Sequence, residues 1–199
     1  MEKITKITGR GIPLERSDVD TDQIIPSDWL KRVERTGFGA GLFQEWREDP
    51  SFVLNDGAYA GASILVAGPN FGTGSSREHA VWALVDYGFK AVVAPKFGDI
   101  FYNNSTKAGL VPVVAPLEVV NAMQAVLKAN PAAEITVDIE ELRLSCAAAA
   151  VDIEFPMNEF TRYRLIAGLD DIGLSLRYAG DIDAYESARM PWLPSLPKA

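Results

Sequence analysis

The chain has 199 residues, of which 48% are hydrophobic, and this favours one well-filled globular core. Its formal net charge of -8 at pH 7 argues against a nucleic-acid or anionic-membrane partner, because those surfaces require basic patches. The first residues lack the apolar core of a signal peptide, and no stretch approaches the roughly 18 uninterrupted apolar residues of a membrane span. We therefore expect a cytoplasmic protein.

Cysteine and histidine are scarce, with one of each, Cys146 and His79. A lone cysteine cannot form an internal disulfide, and the residues around Cys146 are typical of core or a strand end. A self-contained zinc or iron–sulfur site needs about three or four such ligands. The composition predicts that this chain builds no metal site alone.

Residues 17–26 place three aspartates at every second position, Asp18, Asp20 and Asp22, ahead of Ile-Ile-Pro. This spacing favours a turn whose carboxylates cap neighbouring backbone N–H groups. A calcium loop of the EF-hand type is not supported, because Gln23 and Trp29 occupy the places of its glycine and its final glutamate.

Residues 29–41 combine aromatic side chains, glycines and the densest cations of the chain. The glycines are compatible with a mobile lid, whereas an ordinary surface loop would carry the same composition. The sequence leaves both interpretations open.

Strand and helix patterns alternate between residues 64 and 114. Apolar runs at 64–67, 91–94 and 111–114 predict strands, and 76–87 and 97–108 predict helices. This alternation is typical of parallel strands joined by right-handed crossovers, and therefore of an α/β domain.

The first of these connections, residues 72–80, reads Gly-Thr-Gly-Ser-Ser-Arg-Glu-His-Ala. A glycine-rich loop between a strand and a helix points backbone N–H groups at an anion, and Arg77 can grip a carboxylate with two nitrogens. Ser75 to Glu78 also match a capping box with Ser75 as the N-cap, which does not exclude ligand binding by Ser76 and Arg77.

The C-terminal half contributes further elements and no linker, so we expect one domain over residues 1–199. A loosely held tail is expected at 190–199. The other predicted elements are helices at 116–129, 158–167 and 182–189 and strands at 134–138, 141–144 and 151–155.

Four segments together resemble the aconitase superfamily and, within it, the bacterial small subunits of 3-isopropylmalate dehydratase. Their sequences are DTDQIIP at 20–26, RTGFG at 35–39, GTGSSREH at 72–79 and FGDIFYNNS at 97–105. The resemblance spans nearly the whole chain. It implies a swivelling β/β/α domain with a mostly parallel sheet and flanking helices.

The resemblance also implies an activity. The enzymes of this family are hydro-lyases of leucine biosynthesis that interconvert 2-isopropylmalate and 3-isopropylmalate through isopropylmaleate. They act as heteromers with a LeuC-type large subunit, whose cysteines hold a [4Fe–4S] cluster with one open iron. The expected ligand is thus a small dicarboxylic hydroxy acid, and no cofactor is expected on this chain.

Matching positions carry over the roles of the family's active-site residues. Ser75 corresponds to the general base, Asp22 to the active-site aspartate that orients Ser75 or the substrate, and Ser76 and Arg77 to carboxylate-binding residues. His79 lies one helical turn beyond Ser75, where it can face the site or simply pack.

The resemblance leaves two choices open between residues 29 and 35. Either Arg32 or Arg35 corresponds to a substrate-gripping arginine of aconitases. The specificity loop of relatives corresponds to residues 29–33. In it Leu30 and Val33 suit an isopropyl group, whereas Lys31 and Arg32 suit a longer dicarboxylate. The members of that loop are Trp29, Leu30, Lys31, Arg32 and Val33.

The sequence leaves two alternative functions open. One is the small subunit of a related hydro-lyase, acting on methylmalate and citraconate or on homoaconitate. The other is a nucleotide-binding module that uses the glycine-rich loop. The loop lacks the Gly-Lys-Ser/Thr ending of a P-loop, and a Gly-x-Gly-x-x-Gly fingerprint fails at Arg77.

Overall fold

The computed structural model describes residues 1–32, 36–190 and 192, which fold around a seven-stranded sheet. The strands are β1 Lys6–Leu14, β2 Ile64–Ala67, β3 Ala91–Ala94, β4 Val111–Val114, β5 Glu134–Asp138, β6 Arg143–Cys146 and β7 Val151–Glu154. Their order is β4-β3-β2-β1-β5-β6-β7. The β1–β2, β2–β3 and β3–β4 pairs are parallel, whereas β1–β5, β5–β6 and β6–β7 are antiparallel. The predicted α/β class and the parallel pairing of β2, β3 and β4 are confirmed.

The first strand lies in the centre of the sheet and joins its two halves. The antiparallel pairing with β5 uses Lys6 to Arg10, and the parallel pairing with β2 uses Gly11 to Leu14. A Cβ on Gly11 would lie 2.7 Å from Ile135 Cδ1, so only glycine fits this point without movement of the core. The sequence pattern does not predict this strand.

The helices are α1 Thr21–Ile24, α2 Gln44–Arg47, α3 Glu78–Tyr87, α4 Asp99–Ala108, α5 Leu117–Ala129, α6 Glu159–Ala167, α7 Asp171–Leu176 and α8 Ala179–Ser187. Four of them, α3 to α6, begin within two residues of the predicted positions, and α8 begins three residues earlier than predicted. The sequence patterns do not predict α1, α2 or α7.

Two hydrophobic cores lie on opposite faces of the sheet, because successive strand residues point to opposite sides. In β2, Leu65 and Ala67 contribute to the core beneath α3 and α4, whereas Ile64 and Val66 contribute to the core beneath α5. Cys146 is fully buried in the second core at the end of β6, as its sequence environment predicts. With both faces covered, β2 has the continuously apolar sequence of a buried parallel strand.

The lid interpretation of residues 29–41 is wrong where the chain returns to the core. Phe38 and Leu42 are fully buried, and the Phe38 N–H donates to Asp86 Oδ2 on α3 at 2.9 Å. A Cβ on Gly39 would lie 2.8 Å from the backbone nitrogen of Tyr87, so this turn lies directly on α3. Burial of large apolar side chains holds it there.

The C-terminal helices α7 and α8 contribute no buried residues. Of the predicted tail at 190–199, only Met190 and Trp192 lie within the described residues, and both are exposed. The single domain over 1–199 and its loose tail stay predictions. Among the helices that are described, none has the length and apolar character needed to cross a membrane.

Candidate active site

Three loops meet at the carboxyl end of the parallel strands and continue the sheet beyond the strands themselves. Single bridges join Asp20 to Thr73 and Phe71 to Phe97, both in parallel orientation. The N–H of Gly98 donates to the carbonyl of Phe71 at 2.9 Å. In open α/β sheets this edge is where ligands bind, and the pairing builds the site on the sheet.

The glycine-rich loop depends on two left-handed residues. Gly72 and Gly74 have φ angles of +72° and +87°, which other residues rarely adopt. A Cβ on Gly72 would also collide with the ring of Phe101. The N–H of Gly72 donates to the carbonyl of Val19 at 2.7 Å, so the loop is tied to the segment that precedes α1.

The capping-box interpretation of Ser75 and Glu78 is wrong. The helix begins at Glu78, its N-cap is Arg77 with an extended backbone, and no side chain caps it. A capping box does form nearby, between Asp20 and Gln23 at the start of α1, as the capping interpretation of the aspartate turn predicts. Because Ser75 lies outside the helix, its hydroxyl is not used by the cap. Among the described residues it has no hydrogen-bond partner.

Arg77 and Asp22 form an ion pair between Nη1 and Oδ1. The Arg77 side chain is 20% exposed and the Asp22 side chain is 58% exposed, so the pair lies at the rim of the site. A guanidinium has five donors, and this contact uses only one of its nitrogens. The remaining nitrogens can still bind a carboxylate.

Ser75, Ser76 and Arg77 form a wall shared by two cavities. The first, of about 290 Å³, we call the glycine-loop cavity, and the second, of about 500 Å³, we call the aromatic cavity. The glycine-loop cavity is also lined by Thr21, Gly72, Thr73, Gly74, Gly98, Asp99, Ile100 and Phe101. The aromatic cavity is also lined by Leu30, Glu78, His79 and Trp82.

The positive ends of two helices open at this place, since α3 begins after Arg77 and α4 begins after Gly98. Helix N-termini favour negative charge, and Arg77 adds a full positive charge. Glu78 and Asp99 occupy the first turns and offset part of this potential. The arrangement suits an anion bound at the loop, with Ser75 and Ser76 beside it.

The predicted specificity loop is only partly brought to the site. Leu30 lines the aromatic cavity, whereas the Trp29 indole donates to Gln44 Oε1 at 2.6 Å and packs against Gly41. Lys31 pairs with Asp28 at 2.9 Å in solvent, and this hydrogen bond lowers the pKa of the Asp28 carboxyl.

Of the two candidate arginines, the structure describes only Arg32. The Arg32 guanidinium lies 4.8 Å from the centre of the Trp29 ring and near the Gly37 carbonyl. The other candidate, Arg35, lies outside the described residues, as does Val33. Their assignments stay predictions.

No group of three or more His, Cys, Asp or Glu residues that could hold a metal ion occurs in the described part of the chain. His79 packs with its ring 5.3 Å from Phe38 and 4.7 Å from Trp82, measured between centroids. Cys146 is buried on the far core. Of the two side chains, only His79 lies near the glycine loop, where it lines the aromatic cavity.

Comparison with known proteins agrees with this geometry. Residues 1–118 match the family described as the aconitase C-terminal domain, and residues 171–196 match the C-terminal domain of the 3-isopropylmalate dehydratase small subunit. A 3-isopropylmalate dehydratase small subunit from Parafrankia sp. (strain EAN1pec) is 61% identical over 98% of this chain and 99% of its own length. The chain belongs to the family of 3-isopropylmalate dehydratase small subunits. A member of this family from Salinispora tropica is 55% identical over 98% of this chain and 100% of its own length.

A solved structure supports the same family at the level of the fold. The crystal structure of 3-isopropylmalate dehydratase (LeuD) from Methanocaldococcus jannaschii aligns with a TM-score of 0.66 and 26% identity. It covers 91% of this chain and 99% of the crystallised chain. The predicted family and its fold are thereby confirmed.

The structure adds two residues to the candidate site that the sequence patterns do not predict. Trp82 lines the aromatic cavity beside Leu30, and Thr21 donates from Oγ1 to the carbonyl of Ser75 at 3.0 Å. Trp82 lies one turn beyond Glu78 on the face that carries His79, and helical spacing from His79 could have found it. Thr21 is a polar residue between two aspartates, and only the fold brings it to Ser75.

Proposed function

We propose that this chain is the small subunit of a 3-isopropylmalate dehydratase. In this role it interconverts 2-isopropylmalate and 3-isopropylmalate by dehydration and rehydration through isopropylmaleate, in leucine biosynthesis. One observation carries the proposal. The Ser75 hydroxyl does not cap α3, and it lies beside Ser76 and Arg77 on a wall between two cavities. The names of relatives that align with almost the entire chain support the substrate.

Ser75 acts as the general base and takes the proton from the carbon next to a substrate carboxylate. A serine hydroxyl is a weak base, so its ionised form needs nearby donors and positive potential. The N-termini of α3 and α4 supply this potential. Arg77 and Ser76 bind the carboxylate, and Asp22 holds one nitrogen of Arg77, which fixes the direction of the remaining donors.

The rest of the active site belongs to a second chain. The family name denotes a small subunit, and therefore a two-subunit enzyme. Departure of the substrate hydroxyl requires a Lewis acid, which a [4Fe–4S] cluster supplies in this superfamily. We place that cluster on a LeuC-type large subunit, because one cysteine and one histidine are fewer than the roughly three or four ligands that a cluster requires.

The aromatic cavity suits an isopropyl group. Leu30 and Trp82 provide apolar surface within the cavity that Ser75 lines. Two cations, Lys31 and Arg32, would suit a longer dicarboxylate. Lys31 instead pairs with Asp28 and is 81% exposed, and the Arg32 guanidinium lies 4.8 Å from the centre of the Trp29 ring. This placement favours isopropylmalate over homoaconitate. We also propose a cytoplasmic biosynthetic enzyme, and its net charge of -8 favours neither a nucleic-acid nor an anionic-membrane partner.

The test uses the chain reconstituted with its large subunit and follows the absorbance of isopropylmaleate. Ser75→Ala should lower kcat by at least about 1000-fold, because it removes a general base, while co-purification with the large subunit persists. Ser187→Ala is the matched control, since that hydroxyl lies on α8 and donates to the Asp183 carbonyl. It should leave kcat unchanged.

Three results would contradict the proposal in different ways. A near-normal rate for Ser75→Ala would remove Ser75 as the base. Turnover by this chain without a large subunit would overturn the two-subunit assignment. Faster turnover of methylmalate or homoaconitate than of isopropylmalate by the complex would favour a related hydro-lyase.

A further inference from the structure

Thr21 is a polar residue in a place where polar side chains are rare. It is 2% exposed, it begins α1, and it lines the glycine-loop cavity. Its Oγ1 donates to the carbonyl of Ser75 at 3.0 Å, and its backbone N–H donates to the carbonyl of Thr73 at 3.0 Å. One residue therefore holds the loop on both sides of Gly74.

These contacts act on the most deformable part of the site. Gly72 and Gly74 lack a Cβ and have positive φ, so the chain between them and Arg77 has little intrinsic preference for one path. Ser75 is not part of α3 and receives no support from helical hydrogen bonding. The Thr21 hydroxyl is the side-chain hydrogen bond that fixes the Ser75 backbone among the described residues.

Asp22, the residue after Thr21, contacts Arg77, the proposed carboxylate-binding residue. Asp22 follows Thr21 in the first turn of α1 and pairs with Arg77. Asp20, which precedes Thr21, caps α1 by accepting from the Gln23 N–H at 2.8 Å. A capped turn thus presents one hydroxyl to Ser75 and one carboxylate to Arg77.

We infer that Thr21 is a positioning residue that holds the Ser75 hydroxyl in the orientation needed for proton abstraction. The inference rests on the proposed role of Ser75 as the base. Thr21 itself need not touch the substrate, since its hydroxyl proton is given to a backbone carbonyl. Loss of this hydrogen bond should leave the volume of the glycine-loop cavity nearly unchanged but allow the backbone at Ser75 to adopt other conformations.

The experiment compares Thr21→Val with Thr21→Ser in the complex with the large subunit. Valine keeps the shape and removes the donor, whereas serine keeps the donor. Because a displacement of about 1 Å at a reacting group can cost about 100-fold, Thr21→Val should lower kcat by about 10- to 100-fold with little change in KM. Thr21→Ser should restore most of the rate.

A second readout separates positioning from general loosening. With substrate deuterated at the carbon that loses its proton, the isotope effect on kcat should increase in Thr21→Val, because proton abstraction becomes more rate-limiting. Thr106→Val is the matched control, since Thr106 is also buried and donates to a backbone carbonyl, that of Asn103, at 2.9 Å. Thr106→Val should lower the melting temperature without changing the isotope effect.

The outcomes distinguish this inference from the proposed function. Equal rates for Thr21→Val and wild type, with Ser75→Ala inactive, would overturn the role of Thr21 alone. Equal losses in the valine and serine variants would overturn it as well, because the hydroxyl would not be the cause. An active Ser75→Ala would overturn the proposed base first. If Thr21→Val fails to fold, Thr21→Ala provides the same comparison with serine.

Discussion

Replacement of Gly98 by alanine tests whether the site depends on close contact between two loops. Gly98 is the N-cap of α4, with φ of -66° and ψ of 135°, so alanine meets no backbone strain there. A Cβ would, however, lie 3.1 Å from the carbonyl carbon of Gly72 and 3.3 Å from Thr73 Cα, inside the 3.4 Å of ordinary contact, and closer still to the Gly72 oxygen. Relief of this overlap requires a backbone shift of about 1 Å, which is enough to lower kcat by about 100-fold.

The assay measures kcat, KM and the melting temperature of the Gly98→Ala complex. Overpacking of this kind costs about 1 to 3 kcal/mol of unfolding free energy, so the melting temperature should also fall. Gly57→Ala is the matched control, because a Cβ on Gly57 meets no atom within 4 Å. A Gly98→Ala complex with wild-type kcat would refute the dependence of Ser75 on this loop contact.

Three further changes probe separate parts of the structure. Arg77→Lys keeps the charge but loses the planar fork, so KM should rise by about tenfold in steady-state assays, and an unchanged KM would argue against a carboxylate clamp. Gln124→Met leaves two strand carbonyls without their buried donor, so urea titration should show a loss of about 2 kcal/mol, whereas wild-type stability would contradict those bonds. The hydrogen bond from Lys6 lowers the pKa of Asp138, so that carboxylate stabilises the fold at neutral pH and the contribution is lost as pH falls through its folded-state value. Asp138→Asn should therefore lower the melting temperature at pH 7, with the difference closing below about pH 4, and a difference independent of pH would exclude the ion pair.

The parallel half of the sheet could be predicted from the sequence because its strands are short, continuously apolar runs bounded by turn residues. Ile64–Ala67, Ala91–Ala94 and Val111–Val114 all occupy the predicted positions. The strand Lys6–Leu14 could not, because glycines and charged residues interrupt its alternation and its pairing is set by distant segments. Tertiary pairing, and not local pattern, makes it the central strand.

The candidate site shows the same division between local pattern and tertiary contact. The motif at 72–79 correctly locates a loop before a helix, but the helix begins two residues later than predicted. The Ser75 carbonyl is held by Thr21, and Arg77 by Asp22, so both are drawn toward α1 instead of into the first turn of α3. These partners lie more than fifty residues earlier in the chain, beyond the reach of a capping rule.

The position of β1 at the centre of the sheet has a consequence for biosynthesis of the protein. Of the seven strands that the structure describes, β1 is made first, but its parallel partner begins at Ile64 and its antiparallel partner at Glu134. In the nascent chain, the side of β1 that pairs with β2 has no partner until residue 64 has been made, and the side that pairs with β5 has none until residue 134 has been made. The antiparallel pairing starts at Lys6 and ends at Arg10, so both ends of this segment carry a positive charge. Charged side chains on an open strand edge disfavour pairing with other chains. The central strand is also the one exposed longest to misassembly.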